Sequence, residues 1–463
     1  MTDEQKQNPL GYEKIWKLLV KFSLPAIVGM VVTSLYNFVD RIFIGNAPDL
    51  GANGLAGITI SFPVMILMMA LGILFGVGGA TLFSIKLGEG KKDVAEKALG
   101  NALGSLLIAA LVYCIVGQIF MDPILRLFGA SDTILPYARD YMRVIFIGAI
   151  FMMTSLGMNN FIRADGNPKV AMITMFFGAG LNIILDPIFI FGLNMGMTGA
   201  ALATALAQLA SFLWIMRYFL KDKGNVKLNK AYIKPEWSIV KQIVSLGTPG
   251  FALQLANSLL NTVLNRNLLL LGGDIAVGGM GIINSLMALL LMPVIGLRQG
   301  VQPIISFNYG AQNYDRVKTA TKQSIFAGTG IVLAGYTLTR IFPEELILMF
   351  NQNPDLVEFG VYALGIWFLF LPVVGFQIVA SNFFQAIGRP KSAMILTLSR
   401  QAILLIPALF IFPIFWGMEG LLHAAPFADF FSAAITGVWF FRSVRNLEAD
   451  EEKKRLRAQS RAS

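Results

Sequence analysis

Apolar residues run along this chain in long stretches parted by short polar breaks. At about 1.5 Å of rise per helical residue, each stretch is long enough to cross a hydrocarbon core about 30 Å thick. The breaks place twelve helices at 15–44, 54–83, 95–121, 133–163, 168–192, 198–221, 238–271, 275–307, 316–342, 355–387, 391–414 and 419–443. The stretches are apolar on most faces, as they must be where lipid offers the backbone no hydrogen-bond partner. The pattern predicts an all-α polytopic membrane protein.

The pattern also repeats. NNFIRADGNPKVAMIT at 159–174 aligns without a gap with SNFFQAIGRPKSAMIL at 381–396, pairing Gly166 with Gly388, Pro168 with Pro390 and Met172 with Met394. Within a few residues of the same shift, Pro25 pairs with Pro249, Gly88 with Gly310, Asp93 with Asp315, Phe128 with Phe350 and Gly199 with Gly420. Six helices per half is an even number, so both halves enter the membrane from the same side. This predicts two pseudo-symmetric six-helix bundles in a parallel repeat, a design that places substrate between rocking halves. The expected organisation is a first lobe at 1–221, a cytoplasmic linker at 222–237, a second lobe at 238–443 and a basic cytoplasmic tail at 444–463, the tail a disordered, solvated end.

Composition agrees: 56% of residues are hydrophobic and 14% charged, against about 25% charged in soluble domains. The net charge of +10 is explained by where the lysines fall, so we expect no nucleic-acid partner. Lys86, Lys91, Lys92 and Lys97 follow the second helix, and Lys221, Lys223, Lys227, Lys230 and Lys234 fill the middle linker. Connectors after helices one, five, seven and eleven carry no lysine or arginine, which predicts both termini on the cytoplasmic side. Cys114 is the sole cysteine, so neither a disulfide framework nor a thiolate metal cluster is expected. GVGGAT and LGEGKK lack the context and lysine of a phosphate loop, and no enzyme motif is found.

What breaks the apolar pattern is the candidate chemistry. Asp40 lies in TSLYNFVDRIFIG inside the first helix, with Tyr36 at i−4 and Asn37 at i−3. A mid-membrane aspartate costs about 2.5 to 3.5 kcal/mol on insertion scales, so it faces protein or water, holds a proton or small cation, or pairs near a helix end with Arg41. On helix five, Asn182 and Asp186 share a face, and Pro187 removes the amide that would bond the Ile183 carbonyl. Thr204 on helix six offers a hydroxyl, or caps its own backbone. Oxygen ligands of this kind suit a proton or sodium, and Asp40, Asn182, Asp186 and Thr204 are the expected cation site. Under the repeat, Asp40 falls near Leu264 and Asp186 near Ile406 to Ala408, so the second half lacks both acids. Scaffold positions recur and acid positions do not.

Further polar candidates for a substrate pocket are Tyr36, Asn37, Asn160, Asn257, Asn261 and Arg298. Asn257 and Asn261 belong to a stripe with Gln254 and Asn265 that faces a wet cavity or a neighbouring helix. His423 and Asp429 are further charges of the second half, with Asp429 expected near the cytoplasmic end.

YNFVDRIFIG, the GNPK and GRPK connectors and NIILDPIFIFG together resemble the multidrug and toxic compound extrusion (MATE) family, in particular its DinF-like bacterial branch and the MepA-type pumps within it. The resemblance spans nearly the whole chain. It implies a secondary antiporter of the bacterial inner membrane that expels cationic amphipathic drugs and dyes in exchange for protons or sodium by alternating access; no cofactor is expected, and the protein is expected to be a monomer. The family's acid on helix one matches Asp40, its helix-five pair matches Asn182 and Asp186, and its helix-six threonine matches Thr204. The branch with essential acids on helices seven and ten is not matched. The alternative is a lipid-linked precursor flippase of the related superfamily, which calls for more cavity arginines than Arg298; a passive channel is a third class.

Overall fold

The computed structural model describes residues 8–47, 50–221, 224 and 226–459, the side chains of 37, 38, 41, 42, 45, 46, 51, 52 and 448–459 excepted. Among the described residues the elements are all helical. In order they are α1 (Pro9–Tyr12), α2 (Ile15–Asn46), α3 (Gly51–Gly88), α4 (Lys92–Ile119), α5 (Met121–Leu127), α6 (Leu135–Ala164), α7 (Pro168–Pro187) and α8 (Gly196–Leu220). After the middle linker come α9 (Trp237–Gly310), α10 (Tyr314–Ile341), α11 (Pro343–Leu348), α12 (Pro354–Trp367), α13 (Leu371–Ala386), α14 (Pro390–Leu398) and α15 (Ile406–Gln459). Two π-helical turns, Ile188–Gly192 and Ser399–Leu405, extend α7 and join α14 to α15.

The expected breaks between helices seven and eight and between eleven and twelve are glycines in the left-handed region. Gly273 (φ 61°) divides α9 and Gly417 (φ 54°) divides α15, each sparing the chain the strain a side chain would meet there. Counting each as two spans, and the pair α12 and α13, bent by 51°, as one, gives the expected twelve. Two expectations change. The third span ends at Ile119 and is followed by the short α5, and the tail stays helical through Gln459 instead of being disordered.

The repeat persists down to dihedral angles. Gly166 and Gly388 both take positive φ (95° and 75°), and each donates to the residue three before it (Arg163 and Gln385), while the next N–H reaches back five (Ile162 and Phe384). This is a Schellman stop, with Pro168 and Pro390 restarting the next helix. The register that pairs Gly88 with Gly310 sets Gly90 (φ 76°) opposite Gln312 (φ 56°), so the second half makes the same turn with a side chain in place.

The chain forms two compact units, and they do not divide at the lysine-rich linker. One comprises Lys21–Leu255; the other comprises Met1–Val20 and Ala256–Ser463. The boundaries fall inside α2 and α9, so the leader of each half is built into the unit of the other half.

Side-chain amides hold both leaders. In the second unit, Asn308 Nδ2 donates to the Leu10 carbonyl (2.9 Å), and Arg316 Nη2 donates to the carbonyls of Leu10 (3.0 Å) and Glu13 (2.7 Å), over a fully buried Leu10. In the first unit, Asn101 takes the N–H of Glu236 and donates to the Tyr232 carbonyl (3.2 Å). The polar connector after α3 is ordered by Lys86 and Lys91 around Glu89. Partial burial pushes the Glu89 carboxyl up, but hydrogen bonds from Lys91 and Lys86 outweigh it and hold the group below its ordinary range.

Within the unit Lys21–Leu255, α6 lies at the centre, packed on α3, α4 and α8. Small residues let backbones meet, since lipid supplies no hydrophobic drive between helices. A Cβ on Gly76 would lie 2.4 Å from the Gly157 Cα, and one on Gly247 would lie 1.8 Å from the Leu74 carbonyl oxygen. Gly247→Ala should therefore force α3 and α9 apart. We expect a loss of about 1 to 3 kcal/mol, read as a lower thermal midpoint in detergent. Gly281→Ala, where a Cβ meets nothing within 4 Å, should leave the midpoint in place.

Candidate functional site

The apolar interior of the unit Lys21–Leu255 is interrupted by a group of polar side chains from α2, α7 and α8. Asp186 is fully buried, Asn182 is 1% exposed and Thr204 5%. One helical turn apart on α7, Asn182 and Asp186 face α8. Asn182 Nδ2 lies 3.2 Å from Thr204 Oγ1 and 3.5 Å from Asp186 Oδ1. With the amide turned over, its NH2 donates to Asp186 Oδ2 (2.9 Å) and its carbonyl accepts from the Thr204 N–H (3.3 Å). Hydrogen bonding alone assigns an amide, and the turned setting is the one that brings the NH2 to a carboxylate and the carbonyl to donors. The Thr204 hydroxyl also donates to the Ala200 carbonyl (3.1 Å), as its helical self-capping predicts.

Asp40 arrives from α2. Its carboxyl is in hydrogen-bond contact with that of Asp186, and partly buried Tyr36 lies within electrostatic reach of both acids. Two carboxyls joined by a hydrogen bond need a proton between them, because two carboxylates offer only acceptors.

The local sequence explains the convergence. Pro187 has no N–H for the Ile183 carbonyl, and immediately beyond it the helix rewinds as the π turn Ile188–Gly192. The proline thus ends the regular ladder one residue after Asp186, at the depth where Asp40 lies.

The remaining sequence candidates fall elsewhere. Asn37, and Arg41 as a partner for Asp40, lie outside the described side chains. Asn160 donates to the Leu156 carbonyl (3.0 Å) and accepts from Arg163 Nη2 (2.8 Å), so its partners belong to the end of α6 and not to the acid group. Asn257, Asn261 and Arg298 belong to the second unit. Asn261 is exposed and donates to the Asn257 carbonyl (3.0 Å), whereas Arg298 is half-buried with its Nε unpartnered. His423 is exposed, its Nδ1 2.8 Å from the Glu419 carbonyl oxygen.

Asp429 has a partner that its own stretch of sequence does not show. It is 1% exposed, in an ion pair with Arg400 (Nε to Oδ1, 2.6 Å) in the interior of the second unit. Sequence reasoning passed over Arg400. The available signal was a charge well inside the helix-eleven stretch, opposite in sign to one similarly deep in helix twelve. No group of three or more His, Cys, Asp or Glu residues arranged to hold a metal is found among the described residues. A sodium ion would have to use the two carboxylates with amide and hydroxyl oxygens, hard donors that fit it.

Among the described residues, twelve apolar spans in two like halves, with an acid pair inside the first unit, define a polytopic membrane transporter built by duplication. The sequence profile of the MatE family matches twice, over residues 25–188 and 249–411, and the chain belongs to that family. The match in each half restates the repeat read from the glycines and prolines.

Over 431 residues the chain is 30% identical to the multidrug export protein MepA of Staphylococcus aureus, covering 93% of this chain and 94% of that protein. It is similar to a solved, ligand-bound structure of the MATE multidrug transporter DinF-BH, at 39% identity and a TM-score of 0.87 over 93% of this chain and 96% of the other. A transporter of the MOP superfamily from Pyrococcus furiosus, described as having a binding pocket of reverse polarity and a different function, matches with a TM-score of 0.89 and 27% identity over 97% and 99%. These relatives are transporters, not enzymes, so the chain is a transporter of the MATE family. Because one fold serves pockets of opposite polarity, cargo and coupling have to be argued from side chains.

Proposed function

We propose that this protein is an antiporter of the bacterial inner membrane, with both termini in the cytoplasm, that exports cationic amphipathic drugs and dyes in exchange for protons or sodium. The observation that carries the reading is the hydrogen-bonded pair Asp40 and Asp186 in the interior of the first unit, completed by Asn182 and Thr204. Like charges in contact do not both ionise readily, so the pair holds one exchangeable positive charge, as a proton or as a bound cation. Asn182 donates to Asp186 and accepts from Thr204, which holds the acid in place on α7 against α8.

Loading this site changes what holds α2 to α7. Since α2 starts in one unit and carries Asp40 in the other, the change acts on a helix that belongs to both. An exchange mechanism needs such a link between ion occupancy and a shared element.

The test is dye movement in proteoliposomes under a proton or a sodium gradient imposed separately. Uphill movement with one gradient, lost on its collapse, is the expected result and identifies the ion. Equal dye flux with and without any gradient would assign a passive channel instead. A protein that moves lipid-linked diphosphate and no dye would be the flippase.

A further inference from the structure

The buried ion pair of the second unit is built in a way that leaves most of its hydrogen-bonding capacity unspent. Arg400 bonds Asp429 through Nε alone, to Oδ1 alone. Asp429 Oδ2 is buried without a partner, and Nη1 and Nη2 of Arg400 make no hydrogen bond among the described residues, although the side chain is only 12% exposed. A guanidinium carries five N–H donors, and a pair made for stability spends them two at a time on one carboxylate. Here the carboxylate takes one edge and fixes the plane, and the outer fork of two parallel N–H pairs stays open.

The backbone at this point is the π turn Ser399–Leu405, a rare form that is frequent at functional sites. The repeat shows that the scaffold does not require the pair. The register pairing Gly166 with Gly388 sets Gly178 opposite Arg400, and the one pairing Gly199 with Gly420 sets Gln208 opposite Asp429 and Ser211 opposite Ser432. These positions also meet in the first unit: a Cβ on Gly178 would lie 3.5 Å from Gln208 Nε2 and 3.1 Å from Ser211 Oγ. The contact is conserved between halves and the charges are not. The first half carries two acids with no counterpart in the second, and the second carries a pinned guanidinium with no counterpart in the first.

We propose that Arg400, oriented by Asp429, is a substrate-recognition group in the second unit that receives the carboxylate of amphipathic zwitterions, extending the cargo beyond simple cations. A planar carboxylate matches the open Nη1 and Nη2 fork, and in a low-dielectric interior that match is strong. Asp429 is a positioning residue: it holds the plane and keeps the site neutral when no carboxylate is present. This rests on the drug-binding reading above.

The test compares two probes on purified full-length protein in nanodiscs, by fluorescence polarisation: a rhodamine with a free benzoate, and the methyl ester of the same dye. Replacing both charges together, Arg400→Gln with Asp429→Asn, avoids stranding either one. It should shift the ratio of the two Kd values about tenfold against the free acid, the size of one charge-assisted hydrogen bond. Arg400→Lys, which keeps the charge and loses the fork, should shift it part of the way. Persistence of the shift in nanodiscs of phosphatidylcholine alone supports the proposal; a shift that requires phosphatidylglycerol assigns the fork to lipid headgroups and overturns it. An unchanged ratio, including equal loss of both dyes, also overturns it. If wild-type protein binds neither dye, the drug-binding reading falls with it; if the ester binds throughout and the ratio stays fixed, only this proposal falls.

Discussion

Asp186→Asn should abolish ion-driven dye movement in proteoliposomes while the protein still inserts, folds and binds dye. Asparagine matches aspartate in shape, so the fully buried position between Asn182 and Asp40 stays filled and its packing is kept. What is lost is the exchangeable charge. An amide at position 186 neither gives up nor takes a proton, and its NH2 permanently satisfies Asp40 in the way a shared proton does only part of the time. The pair is then locked in its loaded form, and a cycle that cannot unload cannot exchange. Asp40→Asn should do the same from the other side. Gradient-driven uptake should fall to that of empty vesicles for both, with dye binding retained, whereas Thr204→Val, which removes one hydroxyl from the rim, should reduce the rate and not end it. Full uptake by either asparagine variant would show that the coupling ion is carried elsewhere.

How much of this was legible without coordinates depends on the range over which each signal acts. Helix breaks were legible because their cause is local: Gly273 and Gly417 lie in the predicted gaps, and only a residue without a side chain turns there cheaply. The acid group was legible in type, since an aspartate in an apolar stretch is expensive wherever it sits, and Asn182 and Asp186 share a face by spacing alone. That Asp40 meets Asp186, and Asn160 does not, depends on how α2, α6 and α7 pack, and no spacing encodes that.

The leaders were not legible for the same reason. Leu10 is held by Asn308 and Arg316, partners about three hundred positions away, and nothing near Leu10 in the sequence announces them. Asp429 alone reads as a charge that would reach for the surface, and only the pair with Arg400 explains its burial.

That pair supplies the second large expected effect, on stability. Arg400→Met leaves the Asp429 carboxylate at 1% exposure with neither oxygen paired, and breaking a buried ion pair from one side costs about 3 to 5 kcal/mol. Arg400→Met with Asp429→Leu removes both charges and fills the space with apolar atoms. Because desolvating each ion had cost several kcal/mol, the double variant should recover most of that loss, to within about 1 to 2 kcal/mol of wild type or above it. Reversible unfolding in bicelles for the two single variants, the double variant and wild type gives the coupling energy directly. A double variant no better than Arg400→Met would mean that Asp429 is stabilised by something other than the guanidinium. The first unit argues for recovery, because Gly178 and Gln208 fill the equivalent positions there without charge and the same helices still pack. A pair whose charges the first unit does without, set on a π turn with its fork open, fits a role in binding better than one in stability.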